Sequence, residues 1–280
     1  MRIRVNGVSL YFDVDGAGLV PDKESMRQRP TVIALHGGPG GDHSWFKNLL
    51  EPLTRHAQVV YLDHRGNGRS DRASPETWNL ATWADDVNAF CEALEIQKPV
   101  IFGASFGGFV AQAVATRHPK LPGKLVLAGT NARFHAERAF AMFAKHGGKA
   151  AETVARRFFA DPSGDVFLEY IQTCLPLYRR VPPPALANPG AAVVNLDVGR
   201  SFISGEWHRF DFRDALSAVE CPTLLLAGEE DPVMPIEGSE ELAAHLPKHL
   251  VRFERFPGIG HEVISESPRA FELMQSFIQA

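Results

Sequence analysis

Short, near-continuous apolar runs alternate with stretches of helical periodicity along most of this chain. No other feature restricts its fold as strongly. The runs are Ser9–Val14, Thr31–Leu35, Gln58–Leu62, Val100–Gly103, Lys124–Ala128, Thr223–Gly228 and Val251–Phe256. Several lack any polar alternation, as strands buried on both faces of a parallel sheet must. Between them, helices are predicted over Ser44–Arg55, Thr82–Leu94, Phe106–Arg117, Gly238–Leu246 and Pro268–Gln279. In the second, Trp83, Val87, Phe90 and Leu94 recur three and four residues apart and form one apolar face. Alternation with short connections implies an open, mostly parallel sheet covered by helices on both sides.

Two segments interrupt the rhythm. Residues 15–30 are polar and charged and read as a long surface loop. From about Asn131 to Asp214 strand character vanishes. Helical stretches at Phe134–Phe159 and Val166–Cys174 replace it, followed by a Pro-rich joint, Val181-Pro182-Pro183-Pro184. A helical insertion between two strands of one sheet reads as a lid over the strand ends. The expected organisation is a core of residues 1–130 and 215–280 with a helical cap at 131–214.

Composition removes several function classes. With 280 residues, 45% hydrophobic and 22% charged, the chain has the makeup of one ordinary globular domain. A net charge of −4 provides no basic field for a nucleic-acid backbone. Cys91, Cys174 and Cys221 form no metal-ligand spacing and are too few for a disulfide framework, so buried thiols in a reducing compartment are expected. No run approaches the roughly 20 apolar residues of a membrane span, and the N-terminal residues lack a signal-peptide pattern. The expectation is a soluble, cytoplasmic protein with no nucleic-acid or membrane partner; its oligomeric state is left open.

Three motifs carry chemistry, and each follows a predicted strand. Gly103-Ala104-Ser105-Phe106-Gly107 is a G-x-S-x-G between a buried run and a helix. Such a turn lifts the serine out of the sheet and aims the helix N-terminus at the reacting centre. His36-Gly37-Gly38-Pro39-Gly40 follows Thr31–Leu35; glycines let backbone N–H groups approach a ligand, as an oxyanion hole demands. The expected donors are the N–H groups of Gly38 and Phe106. No Gly-Lys-Ser/Thr follows, and G-x-G-x-x-G spacing is absent, so neither a phosphate-binding nor a dinucleotide loop is read here. Third, Glu229-Glu230-Asp231-Pro232 and Gly258-Ile259-Gly260-His261 follow the last two runs and supply an acid and a base. Asp231 is preferred over its rivals Glu229 and Glu230 because it lies farthest past the strand. The order Ser105, Asp231, His261 suits acyl transfer with serine as nucleophile, histidine as base and aspartate as its orienting partner.

With Asp63-His64-Arg65-Gly66-Asn67-Gly68-Arg69-Ser70 added, these motifs resemble the α/β-hydrolase superfamily, and within it the proline iminopeptidase-like branch. The resemblance implies a mostly parallel eight-stranded sheet with a helical lid inserted after the sixth strand. Asp63 and Arg65 read as a structural pair bracing their turn. In the branch's aminopeptidases, acidic residues hold the substrate's free amine. Glu206 occupies a similar lid position, but Pro232 stands where a second acid is expected. Trp207, Phe202 and Phe140 are further candidate pocket residues. The leading expectation is hydrolysis of a small carboxylic ester, lactone or amide. Removal of an N-terminal proline from short peptides is the near alternative, and a small-molecule receptor on a hydrolase scaffold the distant one. No cofactor or metal is implied: His261-Glu262 does not extend to H-E-x-x-H, and Pro247 separates His245 from His249.

Overall fold

In a computed structural model of the chain, residues 1–182 and 192–280 are described. Pro183 and Pro184 of the Pro-rich joint lie outside them. The main sheet contains β1 (Arg2–Val5), β2 (Val8–Asp15), β5 (Thr31–Leu35), β6 (Gln58–Leu62), β7 (Val100–Ala104), β8 (Lys124–Ala128), β9 (Thr223–Gly228) and β10 (Val251–Phe256). Its order is β1-β2-β6-β5-β7-β8-β9-β10, antiparallel at β1/β2 and β2/β6 and parallel throughout the rest. This is the eight-stranded α/β arrangement, with the helical insertion following the sixth strand of the sheet, β8.

The apolar runs are continuous because both faces are covered. Ile33, Leu35, Ile101, Leu125 and Leu127 join one core with α2 (Leu80–Ala93) and α3 (Phe106–Arg117). Val32, Ala34, Val100, Phe102 and Val126 face the other, under α1 (Ser44–Leu50) and α9 (Pro268–Gln279). Ser267 caps α9 by accepting from the Ala270 N–H, and Pro268 takes the first helical position, where its missing N–H costs nothing. All three cysteines are buried without disulfides, and burial raises each thiol, Cys91 to about 12 and Cys221 to about 11.

Several expectations need correction. Residues 15–30 are not only loop: β3 (Leu19–Asp22) and β4 (Ser25–Gln28) form a separate hairpin. Nearly all of its positions are solvent-exposed, so it has no apolar face to register in the sequence. Strand β1 was also unread, although Asn6-Gly7, with φ of 46° and 80°, is the turn pair a two-residue hairpin prefers. The predicted Ser44–Arg55 helix changes to a tighter 3₁₀ turn at Glu51–Arg55.

The insertion comprises α4 (Ala136–Ala160), α5 (Asp165–Thr173) and α6 (Leu196–Ser204), with α4 broken at Gly148, where φ is 70°. Its neck is an antiparallel bridge, Arg133↔Asp211. Glu241 on α7 (Ile236–His245) receives Arg133, His135 and Arg213, pinning both sides of that neck. Among the described residues, no helix is long and apolar enough to cross a membrane.

The turn after β6 is braced differently from the expected Asp63–Arg65 pair. Arg65 makes a bidentate bond to Asp86 on α2, at 2.8 and 2.7 Å, with both side chains buried. Asp63 instead accepts from His43 and from the Arg69 N–H. The two side chains diverge because each has a nearer buried partner on another element. Removing one member of a buried pair strands the other charge, so Asp86→Ala should lower unfolding free energy by about 3–5 kcal/mol in urea titrations. Arg157→Ala, which breaks the exposed Arg157–Glu169 pair, should change it by less than about 1 kcal/mol.

Candidate active site

Ser105 sits between β7 and α3 with φ 55° and ψ −122°, a conformation costing a non-glycine residue about 1–3 kcal/mol. The flanking glycines are required by close approach. A Cβ on Gly103 would overlap the backbone of Gly107, and one on Gly107 would overlap the Leu35 carbonyl. Thus α3 is pressed against β7 and β5, and the chain must turn sharply where the serine lies. Ser105 is part-exposed, and Phe106, the first residue of α3, is buried. As the first helical residue, Phe106 has an N–H with no intrahelical partner.

Neighbouring strand ends complete the site. The Ser105 N–H donates to Ala128 O at 2.9 Å. Ala128 leads to Gly129, where a Cβ would lie 3.4 Å from His261 Nδ1 and 3.6 Å from Asp231 Oδ2. Asp231 Oδ2 and His261 Nδ1 are 2.7 Å apart, and both residues are buried. The other aspartate oxygen, Oδ1, accepts the N–H groups of Val233 and Met234 at 2.9 and 2.8 Å. Asp231 is therefore fixed from both sides, and it alone of the three acids meets the histidine. Glu230 turns away to Lys145 and His146.

The glycine loop after β5 lies against the serine: a Cβ on Gly37 would come 3.7 Å from Ser105 Cβ. Gly38 has φ 121°, open only to glycine in practice, and its neighbours Gly40 and Gly41 crowd the space a side chain would need. His36 Nδ1 lies 2.7 Å from Gly37 O, and His36 Nε2 faces the His64 N–H at 3.3 Å. Those partners select the neutral tautomer with the proton on Nδ1. Burial agrees, lowering the pKa values of both His36 and His64.

The four candidate pocket residues do not converge on the serine. Phe202 packs edge-on against Phe106, with centroids 5.2 Å apart. Trp207 is one shell further out, between Phe109, Phe159 and Phe202. Phe140 packs against Phe134 and Phe159 under the Arg156 guanidinium. Glu206 places Oε2 2.9 Å from the Leu80 N–H, capping α2 with its carboxylate where the helix dipole favours negative charge. It lines a cavity of about 440 Å³ with Pro75, Trp78, Phe202, Arg209 and Phe210, and neither Ser105 nor His261 borders that space. Burial raises the Glu206 pKa, although Leu80 and Arg209 oppose the shift.

Asp42, His43 and Asp63 are the one group of buried potential metal ligands among the described residues. Their oxygens already accept from Ser44, Arg69, Val193 and His43 itself, and a guanidinium at 2.7 Å does the work a cation would do.

A family model described as the alpha/beta hydrolase fold matches residues 30–268. The chain belongs to the α/β-hydrolase family. This hydrolase is 27% identical over 247 residues to proline iminopeptidase PfmaB of Pestalotiopsis fici, covering 84% of this chain and 87% of that one. It is 28% identical over 267 residues to a putative carbamate hydrolase, RutD, of Caulobacter sp. strain K31, covering 94% and 92%. The crystal structure of a Mycobacterium smegmatis proline iminopeptidase superposes with a TM-score of 0.75 at 22% identity, over 99% of this hydrolase and 97% of that chain, a likeness of fold.

Sequence reading missed one neighbour of the histidine. Tyr178, from the helical insertion, accepts the His261 N–H at 2.7 Å and sets its ring edge-on to the imidazole at 4.9 Å. Only Pro176 and the aromatic residue itself marked that stretch, and neither signals a contact so distant in sequence.

Burial of His261 works to lower its pKa, but the charge and hydrogen bond of Asp231, with Glu262 and Glu266 beyond, leave it above the ordinary 6.5. A raised value means that the imidazole stays protonated to higher pH, so its basic form is lost as pH falls through that value. NMR titration should place the His261 midpoint above 6.5 and show it falling in Asp231→Asn.

Proposed function

We propose that this protein is a serine hydrolase that cleaves a small carboxylic ester, lactone or amide through an acyl-enzyme. The observation that carries the reading is the 2.7 Å Asp231–His261 pair, on the loops after β9 and β10, across the end of β8 from a serine held on a strained elbow. In the proposed cycle, His261 takes the Ser105 proton as Oγ attacks the substrate carbonyl. The tetrahedral oxyanion is received by the N–H groups of Gly38 and Phe106. His261 then protonates the leaving alcohol or amine, the acyl group remains on Ser105, and water repeats the sequence to release the acid. Asp231 holds the tautomer with its proton on Nδ1 and stabilises the imidazolium. Residues 1–130 and 215–280 serve as the catalytic core and 131–214 as the cap that shapes substrate entry.

The names of its relatives span esters, carbamates and prolyl peptides, so the bond class rests on the site itself. Three carboxylates of the insertion and its surroundings are already engaged. Glu206 caps α2, Glu230 faces Lys145, and Glu262 pairs with Arg179. That arrangement supports a substrate without a free amine and weighs against N-terminal proline removal.

A plate assay of a short-chain aryl ester beside a prolyl arylamide, blanked with Ser105→Ala, tests both readings. We expect ester turnover that Ser105→Ala abolishes, together with covalent labelling of Ser105 by a serine-directed phosphonate. Ester turnover surviving in Ser105→Ala would remove the serine from the mechanism, and absence of both turnover and labelling would favour a receptor. Rapid prolyl release lost in Glu206→Gln would instead make Glu206 an amine anchor.

A further inference from the structure

The loop carrying His261 is not held by the sheet alone. Three consecutive backbone N–H groups, those of Gly260, His261 and Glu262, are hydrogen-bonded to groups outside the sheet. Gly260 donates to Glu266 Oε2 at 3.4 Å, His261 to Tyr178 O at 2.7 Å and Glu262 to Glu266 Oε1 at 3.2 Å. Glu266, 4% exposed at the end of the short helix α8 (Val263–Glu266), also reaches into the insertion. Its Oε2 accepts Arg180 N–H at 2.6 Å and Val181 N–H at 3.0 Å. Around this centre, the Arg179 guanidinium binds the Glu262 carboxylate and donates to Ser265 Oγ at 2.9 Å. A Cβ on Gly260 would overlap the Tyr178 carbonyl, so the strap and the loop are in backbone contact.

Among the described residues no side-chain cation is paired with the Glu266 carboxylate, and a buried carboxylate of that kind is costly unless its oxygens are filled by hydrogen bonds. Here the donors come in equal number from two parts of the chain, two from the histidine loop and two from the insertion. Undocking the insertion would remove two of the four Glu266 donors and free the His261 N–H together, which couples the two events.

We propose that Glu266 is a positioning residue for His261, joining the imidazole loop to the strap Tyr178–Val181 so that the base is in register only while the strap is docked. The inference rests on the reading of His261 as general base. Asp231, Glu262, Glu266 and the Tyr178 phenol face the imidazole neighbourhood, with Arg179 set against Glu262. Glu266 therefore contributes charge as well as geometry.

The test is Glu266→Gln in the full chain, which keeps the length but turns an NH₂ toward amide donors. For a short-chain aryl ester, kcat should fall roughly tenfold or more, toward the ~100-fold that an ångström of misplacement costs, with KM changed far less. Loss of a negative charge disfavours the imidazolium, so the acid limb of the kcat profile should move to lower pH. A purely structural role would lower the melting temperature and leave that limb in place. A folded Glu266→Gln protein with kcat within twofold of wild type and an unmoved limb would overturn the proposal. Should the variant not fold, amide hydrogen exchange of the wild-type chain decides. The proposal requires His261, Arg180 and Val181 to exchange as one cooperative unit, and separate exchange overturns it. His261→Ala keeps the two readings apart: activity surviving that change would sink the base assignment, whereas its loss beside an unaffected Glu266→Gln would sink only this inference.

Discussion

The packing of α3 onto the sheet leaves no room for a side chain at three points, and the site is built around that shortage. Gly107 lies under the Leu35 carbonyl, Gly103 under the Gly107 backbone, and a Cβ on Gly108 would run into Thr130. A helix held this close to three strand ends can be reached from β7 only by a turn that no ordinary residue adopts freely. Ser105 occupies that turn at φ 55°. The strain is sustained by a core in which Phe102, Phe106, Phe109 and Val110 have no solvent exposure. Filling the gap would release the elbow and displace the serine with it.

Buried carboxylates then hold the loops that the strands leave behind. Asp231 catches Val233 and Met234 N–H groups with one oxygen and His261 with the other. Asp63 gathers His43 and Arg69, while Asp42 takes Ser44, Arg69 and the Val193 N–H of the insertion. Glu266 repeats the pattern beside the histidine. Each acid fills backbone donors that a loop leaves unpaired, some in its own loop, as Asp231 does for Val233 and Met234, and some far away in the chain, as Asp42 does for Val193. Two of these acids, Asp42 and Glu266, also reach residues 131–214, and other carboxylates tie the same parts together. Glu206 caps α2 from the insertion, and Glu241 pins its neck. At the histidine loop the insertion and the candidate site share hydrogen bonds directly, through Tyr178 O and Glu266.

Much of this was legible in the residues. The parallel strands could be read because each must be apolar on both faces. The elbow and the glycine loop could be read because their glycines meet close backbone approaches. Asp231 and His261 follow consecutive strands and end 2.7 Å apart. Less visible were the exposed β3–β4 hairpin, which buries no face, and the partner of Arg65. The sequence offered Asp63 two residues away, while the fold brought Asp86 in from α2.

Glu206 marks the boundary between the two kinds of information. By itself the sequence determined the layered α/β architecture, the helical insertion and the order serine, acid, histidine, because periodicity and close-approach glycines act over a few residues. The tertiary structure decided where the carboxylates in and around the insertion point: Glu206 to the Leu80 N–H, Glu230 to Lys145, and Glu266 to both the histidine loop and the strap. A carboxylate takes whichever donor the fold leaves unsatisfied nearest to it, and that donor is fixed by packing between segments far apart in the chain.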